Sequence, residues 1–151
     1  MPVTSQQLEL VFRSRGGRFA RPALVVRLLS GSIFILFGLG KFVSHATETA
    51  SFDRYGLPAP SAFAYAVGTL EVLGGLLLIL GLLVRPTALV LAGNMVGAIA
   101  TAGRIDGGAI NLGLAPALLV VMVVLVWAGA GERSLDARLA TLLSRQRPRE
   151  R

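Results

Sequence analysis

Charged side chains interrupt this chain of 151 residues so rarely that their absence marks out its architecture. No Asp, Glu, Lys or Arg occurs at 28–40, 86–103 or 107–131, and between Tyr55 and Val84 the sole charge is Glu71. A helix needs about 20 apolar residues to cross a bilayer core, with a range of roughly 17–25. The intervals therefore predict four membrane spans, near 22–43, 61–83, 86–103 and 110–129. The first reaches membrane length only if Arg27 and Lys41 snorkel to opposite interfaces. Composition points the same way, with 54% hydrophobic residues, a further 18 glycines and only 15% charged residues. A small soluble domain could not hide that much apolar surface. The expected fold is all-α: a polytopic membrane protein built as a four-transmembrane-helix bundle.

The basic residues assign an orientation. With four spans, both termini and the 84–85 turn share one side, and that side holds twelve of the fifteen Lys and Arg residues; the other side holds Lys41, Arg54 and Arg104. The positive-inside rule then places both termini in the cytoplasm. Domain organisation follows as a basic tail at 1–21, a membrane domain at 22–131 and a second basic tail at 132–151. The +7 charge reads as contact with anionic lipid headgroups. It does not read as nucleic-acid binding, because no recognition motif or aromatic platform accompanies the arginines. Ser44-His45-Ala46 superficially fits a signal cleavage site, but Lys41 just before it favours an uncleaved first helix. Phe42, His45, Thr49 and Phe52 recur at helical spacing, which predicts a short interfacial helix ended by Gly56 and Pro58. Leu135, Leu139 and Leu142 predict an amphipathic helix over 134–144, and Pro116 is placed to kink the fourth span.

Glu71 stands near the midplane of the second span, where a charge costs about 2.5–3.5 kcal/mol on insertion scales. It shares a face with Ala64, Gly68, Gly75 and Leu78, with Gly74 on the flank. Small residues mark close helix approach, so this face should point into the bundle. Glu71 is then either a proton-accepting or ligand-orienting carboxylate, or a lock between helices. On the first helix Arg27, Gly31, Phe34, Gly38 and Lys41 align, with Arg27 expected to snorkel inward. Lys41 sits ~28 Å above Pro22 and Glu71 ~15 Å below the outer end of its span. A direct Lys41–Glu71 pair thus needs tilt or a long reach, and a water or substrate head group could equally bridge them. Asn94 on the third helix is deep enough to bond Glu71, while Thr87 and Thr101 read as structural glue. Gly93-xxx-Gly97 is a helix-contact pattern of low specificity. The fourth helix reads as a packing and lipid-facing element. The candidate intramembrane pocket is therefore Glu71, Lys41, Asn94, Gly38 and Gly75, between the first three helices, with His45 on a loop at its mouth.

No catalytic group emerges. Without cysteine there is no disulfide, iron–sulfur cluster, thiolate zinc site or thiol catalysis. One histidine near Glu48 and Asp53 is a poor metal set. Gly38-Leu39-Gly40-Lys41 lacks phosphate-loop spacing.

Taken together, the chain resembles the DoxX family of small four-helix bacterial membrane proteins over about 24–138. The resemblance is carried by Arg27 with Phe34-x-x-x-Gly38-x-x-Lys41, Gly56-Leu57-Pro58, Glu71-x-x-Gly74-Gly75-Leu76-x-Leu78-Ile79-x-Gly81, Arg85-Pro86, and Ser134-Leu135-Asp136 after Gly131-Glu132-Arg133. It implies the bacterial cytoplasmic membrane and a place in quinone-linked oxidoreductase chemistry. The family takes its name from a subunit associated with thiosulfate:quinone oxidoreduction. The expected function is an accessory subunit without independent catalytic activity, holding a quinone as candidate cofactor beside a soluble or membrane oxidoreductase partner. Alternatives are a scaffold for partner proteins and a small proton-coupled transporter. Oligomer formation is compatible with either.

Overall fold

A computed structural model describes residues 20–145, and among these the backbone is helical with no strand. The first span is α1, Ala20–Val43. A short helix, α2, His45–Arg54, follows where the amphipathic spacing predicted one. The second span is α3, Pro60–Leu80, with Pro60 in its first turn, where a missing N–H costs little. The third begins as α4, Val84–Ala98, and continues through a π-helical turn, Ile99–Gly103. The fourth opens with a second π-helical turn, Ile110–Leu114, and continues as α5, Ala115–Ala128. A final helix, α6, Leu135–Arg145, leaves the bundle. Pro22–Val43, Pro60–Leu80, Val84–Gly103 and Ile110–Ala128 are long and apolar enough to cross a membrane. The chain is a multi-pass membrane protein.

Glycine sets the tightest helix contact. A Cβ on Gly31 would lie 2.7 Å from the Gly75 carbonyl, and one on Gly38 would lie 2.8 Å from the Gly68 carbonyl. Only a hydrogen allows α1 and α3 to approach so closely, and bilayer helices associate largely through such packing. Gly93 and Gly97 behave differently: nothing approaches within 4 Å of a Cβ at either. Their spacing matches the contact pattern, but they lie on the outward face of α4 and join no helix pair.

Arg27 overturns its expected snorkelling. It is 1% exposed and donates from Nε to Leu78 O at 2.9 Å, from Nη1 to Ala130 O, and from Nη2 to Ile79 O and Arg133 O. The last carbonyls of α3 lack a full set of helical N–H partners; Leu78 O takes the Gly81 N–H at 3.1 Å, and the guanidinium adds bonds to Leu78 O and Ile79 O from the neighbouring helix. Gly81 closes α3 at φ +70°, and a Cβ there would strike Arg27. Beside it the buried Asp136 carboxylate accepts the N–H groups of Leu83 and Val84 at 2.7 and 3.0 Å, capping α4 from a distance. Ser134 Oγ accepts the Ala137 N–H at 3.1 Å and caps α6. The end of the bundle where α1 begins and the fourth span finishes is closed by this Arg27–Asp136 cluster.

Pro116 follows the π-helical turn 110–114. Proline cannot donate to the carbonyl four residues earlier, and the widened turn lies where that bond is missing.

Candidate functional site

Glu71 is a buried charged side chain near the middle of its span, and both its oxygens are engaged. Lys41 Nζ donates to Oε2 at 2.8 Å, and Asn94 Nδ2 donates to Oε1 at 3.0 Å. The side chains of Lys41 and Glu71 are 13% and 5% exposed. The ion pair is therefore direct, with no bridging group required by its geometry. The span arithmetic left a gap because it located Cα atoms alone. In a helix the Cα–Cβ bond tilts toward the N-terminus. α1 and α3 are antiparallel, so Lys41 leans into the membrane while Glu71 leans out of it. Two long side chains close what the backbone leaves open.

The surrounding face of α3 is Ala64, Gly68, Gly74, Gly75 and Leu78, all buried with Glu71. Gly38 and Gly75 lie in the α1–α3 contact and let the ion pair form across it; neither lines a cavity. His45 is also off the cavity wall. Its ring stacks on Tyr65 with centroids 3.9 Å apart, and its Nε2 lies 3.0 Å from Ser61 Oγ. Thr101 Oγ1 donates back to Gly97 O at 2.8 Å, a bond within its own helix. Among the described residues no three His, Asp or Glu side chains converge as a metal set.

A cleft of about 430 Å³, counted to its open mouth, lies against the ion pair. Phe34, Phe37 and Lys41 of α1 form one wall. Asn111, Leu114 and Leu118 stand on the opposing fourth span, while Glu71 and Met95 contribute from the other two. Sequence reasoning placed this pocket among the first three helices and left the fourth as packing. The fourth span instead supplies much of the lining, because its opening π-helical turn carries Ile110, Asn111 and Leu114 into the cleft. Such turns are often found at functional sites, and no residue pattern announces one.

Below the pair apolar side chains fill much of the interior: Phe34, Leu78, Leu91, Met122 and Leu125 are each at most 1% exposed. At the opposite end of the bundle, Tyr55 donates to Asp106, and Arg54 pairs with Asp106 at 3.3 Å, tying the α2–α3 connection to the loop after the third span. Partial burial, and next the hydrogen bond to Asp106 and its charge, raise the Tyr55 phenol above its ordinary value.

Comparison with known proteins gives a consistent picture. A family model described as DoxX matches residues 23–104. The "Uncharacterized membrane protein Rv3486" of Mycobacterium tuberculosis is 35% identical, over 78% of this chain and 80% of that protein. The "Putative oxidoreductase CatD" of Bacillus subtilis is 36% identical, over 52% of this chain and 57% of that protein. No solved structure matches the chain.

Proposed function

The chain belongs to the DoxX family of membrane proteins, and from that premise we propose that it is a non-catalytic subunit of a quinone-linked membrane oxidoreductase system. In this reading the cleft beside Lys41 and Glu71 holds a quinone or similar lipophile, and a partner protein supplies the electrons. The observation that carries it is Lys41. One of its three N–H bonds goes to Glu71, and the other two find no acceptor among the described residues while the side chain lines the cleft. A quinone carbonyl suits such a donor, and Phe34, Phe37, Leu114 and Leu118 suit its ring and tail. Bound there, a quinone would supply two-electron redox capacity. The protein's own part is to orient the carbonyl through Lys41, hold Lys41 through Glu71 and Asn94, and keep water away with the apolar walls. The name of the Bacillus subtilis relative is in keeping with an oxidoreductase setting.

The twelve-to-three distribution of basic residues supports an inner-membrane location with the 1–21 and 132–151 tails in the cytoplasm. A proton-coupled transporter is the weaker reading, since Phe34, Leu78, Leu91, Met122 and Leu125 fill much of the interior between Glu71 and the end that carries the termini. A scaffold role draws on the full satisfaction of both Glu71 oxygens, which a purely structural lock also requires.

Lys41→Met and Glu71→Gln separate these readings. The expected result is membranes that contain normally folded protein yet lose quinone-dependent oxidation. Parallel loss of folded protein and activity would instead favour the scaffold.

A further inference from the structure

The cleft beside Lys41 opens along the seam between α1 and the fourth span, and this opening lies within the membrane-spanning stretches. Its lining on α1 runs from Phe34 to Lys41, inside Pro22–Val43, and on the facing helix from Ile110 to Leu118, inside Ile110–Ala128. The α1–α3 contact is sealed by glycine, and α4 packs closely on α5, which leaves α1 against α5 as the loose seam. Phe37 and Ile110 stand at its lips, 37% and 58% exposed in the bundle, so at this depth they face lipid chains. The Arg27–Asp136 cluster and the apolar interior fill the end that carries the termini, and the Arg54–Tyr55–Asp106 ties cross the opposite end.

We infer that the cleft is loaded sideways from the hydrocarbon of the bilayer, through the Phe37–Ile110 seam, by a lipid-soluble molecule bearing a neutral hydrogen-bond acceptor that docks on Lys41. The inference rests on the proposed binding role and adds its entry route and recognition chemistry. Three features carry the ligand class. The Lys41–Glu71 pair is neutral as a unit, so no counter-charge is called for. The charged group at the cleft is Lys41, whose two remaining N–H bonds are donors, while Asn111 on the opposite wall turns its Nδ2 to Gly107 O. The walls are apolar and aromatic, and an entering molecule crosses no water on its way in. The π-helical turn Ile110–Leu114 widens the fourth span beside the seam, and the turn Ile99–Gly103 lies on the neighbouring third span.

Because the chain has no cysteine, introduced pairs can be linked selectively. Full-length protein in lipid nanodiscs carrying Phe37→Cys with Ile110→Cys would be joined by a flexible, reducible bis-maleimide. Retention of a decyl-substituted benzoquinone would then be followed over time by native mass spectrometry. Linking is expected to slow loading at least tenfold, and reduction to restore it. An Arg54→Cys/Asp106→Cys pair, linked across the outer end, should load at the unmodified rate. Lys41→Met should abolish retention whether or not the seam is linked. Should the unlinked seam pair load poorly, Ile110→Trp carries the same test, with slower loading and unchanged final retention. Loading unaffected by the seam link, or stopped by the 54–106 link, would overturn sideways entry while leaving the binding role intact. Failure of the unmodified protein to retain the benzoquinone would remove the binding role and the inference with it.

Discussion

Lys41 and Glu71 meet because each side chain leans toward the other, and the two directions of lean follow from the order of the spans. Positions 41 and 71 fix the two depths, and the antiparallel order of the spans fixes the two directions of tilt. Asn94 was equally legible, since an amide at midspan has few partners other than the carboxylate. Arg27 was not. An arginine near a helix end ordinarily snorkels, and the partners that hold it inward are backbone carbonyls of Leu78, Ile79, Ala130 and Arg133, which carry no residue signature. A double-substitution cycle of Lys41→Met and Glu71→Met is predicted to give a coupling of roughly 0.5–3 kcal/mol in reversible unfolding from detergent. Asn94→Ala should cost less, about 0.6 kcal/mol and at most roughly 1.7, the range for interhelical hydrogen bonds in membranes. Additive single effects at 41 and 71 would contradict a direct ion pair.

Among the elements, the helices themselves followed from charge-free length, and α2 and α6 from apolar spacing. What spacing alone did not distinguish was which glycine stripe meets a neighbour. Gly31, Gly38, Gly68 and Gly75 pack α1 on α3, whereas Gly93 and Gly97 face outward. Both sets repeat at helical intervals, and the choice between them depends on helix crossing geometry. The consequence is measurable. Gly38→Leu is predicted to destabilise the bundle by about 1–3 kcal/mol through overpacking, and Gly97→Leu to stay within about 0.5 kcal/mol. Equal effects would mean the helix pairing is different. The two π-helical turns were likewise invisible, which is why the fourth span was read as lipid-facing although it lines the cleft. At the outer connection, the raised Tyr55 phenol links protonation to the loop tie. A phenol raised above its unfolded value of about 10 lends stability that is fully present below that pH. The contribution is lost as pH rises through the higher folded value. In a Tyr65→Phe background, ultraviolet titration should follow Tyr55 alone, and Asp106→Asn should bring it back toward the ordinary range.

At the scale of the whole molecule, the bundle is closed at one end by the Arg27–Asp136 cluster, largely apolar from there toward its middle, and carries its Lys41–Glu71 pair beside a cleft. That asymmetry suits a protein that receives something from the bilayer better than one that passes something across it. The charge distribution along the chain gives the asymmetry its direction. In spheroplasts, Asp53→Cys is predicted to react with a membrane-impermeant maleimide, and Glu132→Cys only after permeabilisation; the reverse pattern would invert the proposed topology. The account as a whole turns on whether the Lys41–Glu71 cleft holds a lipophile in the native membrane. Native mass spectrometry of the protein, released gently from that membrane, asks this directly. A bound quinone that disappears in a folded Glu71→Gln variant is the predicted result. A protein carrying only phospholipid or a partner subunit, with the same profile in Glu71→Gln, would contradict it.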